Sequence, residues 1–343
     1  MKTFRFSLVA LVATTLFVAC SNDEVVESIN GETQAISFRM QGGTPESTLR
    51  ATATTKLNVD AFVVYADNSV NGGGVNIFDG VTVARKAGST IAYDYNPKRY
   101  YTVGAANAGF FAYSPVSAGK NISNIDDSGL LTGASFEYEV VVPNISGNIS
   151  QEDLLVAGTD VTGITPLSGA VSFDFKHALS RIFVKATNGL TNDVVIKKLV
   201  LKNLYSKGKI AGSHAAAWTW AWDNYDNRKD YEYIIAPTGV AVKKDVTTTL
   251  VTSMEQGMLV IPQQTSHDGD KIVTANEFAL EVTYDVGNLI GEVTNVFLTT
   301  PFTFVYNTQY AITINFSGTD YIEINFDIEV SPFDNDIAAG YPL

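Results

Sequence analysis

This sequence is poor in the residues that most chemistry needs. It has one cysteine, three histidines and three tryptophans, and only 17% of its 343 residues are charged. The lone thiol, Cys20, has no partner within the chain, so no internal disulfide stabilises the fold. His177, His214 and His267 lie in unrelated segments, without the i, i+3 or i+4 spacing of a metal motif. A structural zinc site takes about four Cys or His ligands, and this set does not supply them. His267-Asp268-Gly269-Asp270 reads as a surface turn, shorter in acidic pattern than a calcium loop. No Gly-x-Ser-x-Gly elbow, Gly-Lys-Ser/Thr phosphate loop or dinucleotide fingerprint occurs. The 36 acids offer many carboxylate pairs, and nothing singles one out. The expectation is a protein without catalytic residues, metal or cofactor.

What is present begins at the N-terminus. Lys2 and Arg5 precede an apolar run, Phe6 to Ala19, that ends at Cys20. A basic start, an apolar stretch of that length and a small residue before the break make a secretory signal, residues 1–19. The run is short for a membrane span. Cys20 stands where a bacterial lipoprotein is cleaved and acylated, although Phe17 replaces the usual Leu of the lipobox. An ordinary signal peptide with a chance cysteine is the other reading. Ser21-Asn22-Asp23-Glu24 resembles the export signal that sends lipoproteins of Bacteroidales-type bacteria to the outer face of the outer membrane.

Removing residues 1–19 takes away Lys2 and Arg5 and moves the net charge from −13 to −15. So acidic a chain repels phosphate backbones, which argues against nucleic acid as a partner. The remaining 324 residues exceed what one compact core normally holds, so two domains are expected.

Period-two alternation recurs along the chain. Ile36, Phe38 and Met40 alternate with Ser37 and Arg39; Phe136 to Val142, Val171 to Phe175 and Ile182 to Ala186 follow. Val194 to Leu201, Met258 to Ile261, Phe278 to Tyr284, Phe302 to Tyr306 and Ala311 to Phe316 continue the pattern. It is clearest in Tyr321 to Val330, where Ile322, Ile324, Phe326, Ile328 and Val330 form one face. Gly- and Asn-rich breaks such as Asn71 to Gly74 separate the runs. No segment keeps a 3.6 period; Ala215 to Trp222 reads as a short helix or a loop. Short strands with frequent turns predict an all-β chain of antiparallel sandwiches. A brief internal echo, Ile36-Ser37-Phe38 against Val171-Ser172-Phe173, places the boundary near residue 165: domains 51–165 and 166–343.

Trp218, Trp220 and Trp222 occupy alternate positions. On a strand their rings form one face, which stacks on a glycan or closes the end of a sandwich.

Several segments together resemble the fimbrillin family, the type V pilins of Bacteroidales-type bacteria. They are Tyr95-Asn96-Pro97-Lys98-Arg99-Tyr100-Tyr101, Phe110 to Pro115, Asp153 to Ala157, Phe175 to Ile182, Met258 to Gln263 and the tail from Tyr310. The resemblance implies two transthyretin-like antiparallel β-sandwich domains in tandem and a lipidated, exported precursor. It implies an arginine-specific protease that removes an N-terminal strand, and a C-terminal strand of another subunit that fills the vacated groove.

Mapped onto this sequence, cleavage falls between Arg50 and Ala51, and residues 20–50 become the removable segment. The alternative is an ordinary loop arginine. Tyr321 to Val330 becomes the donor strand; the alternative is a strand of its own domain. Five apolar side chains at about 1.5–3 kcal/mol each supply some 7–15 kcal/mol before ordering costs. The expected function is a fimbrial subunit on the cell surface that supports adhesion. Its expected partners are other pilin subunits, the outer membrane through a lipid anchor, and glycans or proteins of host or bacterial surfaces. A non-polymerising, glycan-binding outer-membrane lipoprotein is the alternative.

Overall fold

The computed structural model describes residues 34–40, 59–70, 73–89, 92–144, 151–165, 167–214, 217–233, 235, 238–250, 257–265, 277–297, 302–318 and 323–333. Cys20, Arg50, Ala51, His267 and Ile322 lie outside them. The fold is all-β. In chain order the strands are β1 (Phe38–Met40), β2 (Ala61–Val70), β3 (Gly73–Arg85), β4 (Ala92–Asp94), β5 (Asn107–Ser114), β6 (Ile122–Asp126), β7 (Gly133–Glu139), β8 (Leu155–Thr162), β9 (Val171–Phe173) and β10 (Lys176–His177). They continue as β11 (Ser180–Asn188), β12 (Val194–His214), β13 (Trp218–Tyr233), β14 (Val240–Val242), β15 (Thr248–Thr249), β16 (Met258–Val260), β17 (Ala279–Val286), β18 (Leu289–Val296), β19 (Thr308–Ser317) and β20 (Glu323–Pro332).

The first sheet has eight strands in the order β10-β8-β5-β2-β3-β4-β1-β9. Its terminal strands, β9 and β10, are separated in the chain only by Asp174 and Phe175. The sheet therefore curls around its own core. Phe62, on the central β2, meets Phe173 of the terminal β9 with ring centroids 5.5 Å apart. Alternation on β2 explains the two faces: Phe62, Val64 and Ala66 enter this core, while Val63 and Tyr65 point to the other side. There Tyr65, Phe111 and Tyr113 join a second, larger core with Phe136 and Trp220.

The second core also lies between two further sheets. One runs β15-β11-β19-β20 with β16 on β11; the other runs β18-β17-β12-β7-β6 with β13 and β14 on β12. Their facing side chains interlock as in a sandwich, Tyr284 against Phe316 at 5.3 Å. Strand β12 runs through the whole of the latter sheet. Its first part pairs with β17 and β14, and its last part, Lys207 to Ser213, pairs with β7.

Two details differ from the sequence reading. Trp218 to Trp222 belong to β13, the return arm of a long hairpin on β12, not to a short helix. Phe302 to Tyr306 contributes one isolated bridge, Gln264 to Thr303, because Phe304 and Tyr310 pack edge-on there and Tyr310 Oη accepts the Val305 N–H.

Buried phenols set an alkaline limit on stability. Burial pushes Tyr65, Tyr95 and Tyr101 up to about 12 and raises Tyr138 and Tyr231 as well. In the unfolded chain these phenols ionise near pH ~10. Above that pH the folded form binds more protons than the unfolded one, so stability falls as pH rises. Full stability is expected below pH ~10, with progressive loss toward about pH 12. Phenolate absorbance followed after pH jumps is expected to show a slow fraction appearing with unfolding. Rapid titration of all tyrosines would contradict it.

Candidate assembly site

Strand β1 is a single stave of the curled sheet. It pairs antiparallel with β4, through Phe38–Tyr93 and Arg39–Ala92, and parallel with β9, through Phe38–Val171, Arg39–Ser172 and Met40–Phe173. Further bonds extend the contact: Ile36 N–H donates to the Arg99 carbonyl (2.9 Å), Val171 N–H to the Ser37 carbonyl (2.8 Å) and Tyr95 Oη to the Ile36 carbonyl (2.7 Å). Ile36, Phe38 and Met40 are buried and Arg39 is exposed, as period two requires.

The Phe38 ring sits in a box of rings. Phe62, Phe78, Tyr95, Phe110 and Phe173 have centroids 5.3–6.1 Å away, Phe173 stacked and most of the others edge-on. Such pairs add to the burial energy of the ring itself. Among the described residues, β9 joins the sheet only through β1. Taking β1 away therefore empties the ring box and leaves a slot between β4 and β9.

Strand β20 lies at the edge of the sheet β15-β11-β19-β20. Ten residue pairs register it antiparallel on β19, including Phe316–Ile324, Ile314–Phe326, Ile312–Ile328 and Tyr310–Val330. Ile324 and Ile328 are half-buried against the second core, and Val330 is 55% exposed. Val330 borders an open recess of about 510 Å³ with Val305, Tyr306, Asn307, Thr308 and Ser331.

The end of β20 is clamped. Phe333 is buried, stacked on the His177 imidazole at 3.7 Å, with the Arg181 guanidinium 4.4 Å from its ring centroid. Arg181 Nη2 donates to the Phe333 carbonyl (2.9 Å) and its Nε to Gln309 Oε1 (3.1 Å). Phe333 N–H donates to the Asn307 carbonyl (3.2 Å). His177 Nδ1 lies 2.6 Å from Asp153 Oδ2, and both side chains are buried. Sequence reasoning missed this cluster. It excluded His177 from a metal motif and drew nothing from the tail beyond Pro332. One signal was available: an arginine among Leu179, Ile182 and Val184 needs a buried partner.

The clamp and the ring box share one short segment. Phe173, stacked on Phe38, and His177, stacked on Phe333, are four positions apart, in β9 and β10.

The three tryptophans share one face of β13, as their spacing implied, and the face is turned into the molecule. Trp220 is buried against Phe111 at 5.8 Å. Trp222 Nε1 donates to the Ala178 carbonyl (2.8 Å). Trp218 Nε1 donates to Asp160 Oδ1 (3.3 Å), with His214 Nδ1 2.5 Å from Asp160 Oδ2. Burial pushes the Asp160 carboxyl up, and the indole N–H and His214 pull it back. Gly158 makes room for Trp218, since a Cβ there would lie 2.0 Å from the indole. Gly158→Ala is expected to displace Trp218, redden its fluorescence and cost about 1–3 kcal/mol in urea unfolding. Unchanged emission would contradict it.

The sequence matches the fimbrillin-like family over residues 50–332, most of the chain and nearly all of its described strands. The chain belongs to the fimbrillin-like family. A solved structure shows the same fold at low identity. A fimbrial protein from Bacteroides vulgatus aligns with a TM-score of 0.55 and 15% identity, covering 79% of this chain and 92% of that one. A candidate cell adhesion protein from Bacteroides uniformis gives 0.47 and 15%, covering 88% and 99%. A fimbrial assembly protein from Parabacteroides distasonis gives 0.40 and 12%, covering 87% and 100%. A comparison with curated proteins finds no match.

Proposed function

We propose that this protein is the exported precursor of a fimbrial subunit that polymerises by strand exchange and supports adhesion. Cys20 carries the lipid that tethers the precursor to the outer membrane. Cleavage between Arg50 and Ala51 releases the N-terminal segment with β1, and the slot between β4 and β9 then accepts β20 of the next copy. One observation carries this reading: among the described residues β1 alone joins β9 to the curled sheet, and it fills a box of five aromatic rings. An emptied apolar slot of that size is unstable in water and gains both ladder hydrogen bonds and buried area from an added strand. While β1 is present the slot is full, and β20 stays on β19, so the precursor remains monomeric. The inward packing of Trp218, Trp220 and Trp222 also supports assembly over a glycan-stacking face.

Treating the purified precursor with an arginine-specific protease tests the proposal. A new N-terminus at Ala51 and fibres in electron micrographs are expected. A trimmed protein that stays monomeric at every concentration would overturn it. Separately, Cys20→Ser is expected to move the protein from the membrane fraction to the medium.

A further inference from the structure

The ring box leaves a signature that the incoming strand has to match. In β1 and the two residues before it, the sequence Ile36-Ser37-Phe38-Arg39-Met40 places one aromatic ring between two aliphatic side chains at alternate positions. The same order occurs in β20, as Ile324-Asn325-Phe326-Asp327-Ile328. Phe326 is the one aromatic residue of β20. Any other register that keeps the apolar face inward would set an isoleucine or valine into a space shaped for a phenyl ring and forfeit ring contacts.

We infer that β20 of one copy enters the β4–β9 slot of the next with Phe326 in the place of Phe38, Ile324 in that of Ile36 and Ile328 in that of Met40. The inference rests on the strand-exchange reading and adds to it the register and direction of the donor. In this register the donor runs parallel to β9, and Asp327 takes the place of Arg39, opposite Ala92 of the acceptor. Ala92 directs its own N–H to Ser89 Oγ and its carbonyl to the Lys86 N–H. It is thus a non-hydrogen-bonded partner of the slot, where Cα atoms stand about 4.5 Å apart, within the span of a disulfide.

Disulfide mapping in the full-length chain tests this directly, because trimming at Arg50 removes the sole native cysteine. Chains carrying Ala92→Cys with Asp327→Cys are trimmed, assembled and oxidised. A ladder of disulfide-linked oligomers is expected for this pair, and none for Ala92→Cys with Asn325→Cys or with Glu329→Cys. Fibres that cross-link through 325 or 329, or through none of the three, would overturn the register and leave strand exchange standing. Trimmed protein that forms no fibres would overturn both. A second measurement does not depend on how these variants fold. A peptide of residues 323–332 is expected to reduce fibre yield of the unmodified protein at least about tenfold at a concentration where the Phe326→Ala peptide has no effect. Equal inhibition by the two peptides would overturn the placement of Phe326.

Discussion

Phe38→Ala is expected to lower the unfolding free energy of the precursor by about 3–5 kcal/mol, the range for a buried phenylalanine that leaves a cavity. The side chain is 2% exposed and touches rings from β2, β3, β5 and β9 as well as Tyr95. Those rings belong to separate strands of one ladder, and they cannot all move inward to close the hole. The loss is therefore expected toward the upper end of the range. Thermal unfolding followed by circular dichroism is expected to shift downward by on the order of 10 °C. A shift below a degree or two would mean that β1 is not part of the cooperative core. The substitution has an internal control. If trimming removes residues 20–50, variant and unmodified chains become identical, and their trimmed forms are expected to unfold alike.

Phe333→Ala acts at the other end of the chain. It removes the ring between His177 and Arg181 and leaves the guanidinium bonded to Gln309 and a mobile carbonyl. The local cost is again about 3–5 kcal/mol by burial, bounded by the cost of detaching β20 alone. Hydrogen exchange is expected to quicken across residues 323–332 and in the facing amides of β19, while β2 and β5 keep their protection. Uniform acceleration through all three sheets would show that the clamp supports global rather than local stability. Under the strand-exchange proposal the same variant releases its donor more readily. Its trimmed form is expected to assemble with a shorter lag, measured by light scattering. Phe333→Leu, which keeps most of the apolar volume, is expected to fall between the two.

The two residues report on one mechanical question, because Phe173 and His177 lie on the same short segment. Once β1 is gone, β9 has no ladder partner among the described residues, and the neighbouring β10 carries half of the clamp.

How far the sequence reached can be judged strand by strand. Alternation located β1, β7, β9, β11, β16, β17, β19 and β20, because period two is a local property of the chain, and it assigned the buried face of β1, where Ile36, Phe38 and Met40 are buried. It fell short where burial is two-sided or where the strand is polar. The run Val194 to Leu201 is the start of a strand that continues to His214, through lysines that ion-pair across the sheet, Lys202 with Asp230 and Glu281 and Lys207 with Glu137. Such pairing makes a polar stretch a good strand, and no single-chain pattern reveals which acid stands opposite.

By itself the sequence determined that the chain is all-β, that it has no intramolecular disulfide, that Ile36, Phe38 and Met40 share a face, and that the tryptophans would share one if they lay on a strand. Tertiary structure alone decided where those faces point. The curling of the first sheet brings β9 and β10 together and turns Phe38 into a keystone. Gly158 on β8 turns the Trp218 face inward. The clamp on Phe333 joins Asp153, His177, Arg181 and Gln309, residues up to 180 positions away from it in the chain. Each of these depends on which strands pair across long loops, and side-chain alternation constrains a strand's faces without naming its neighbour.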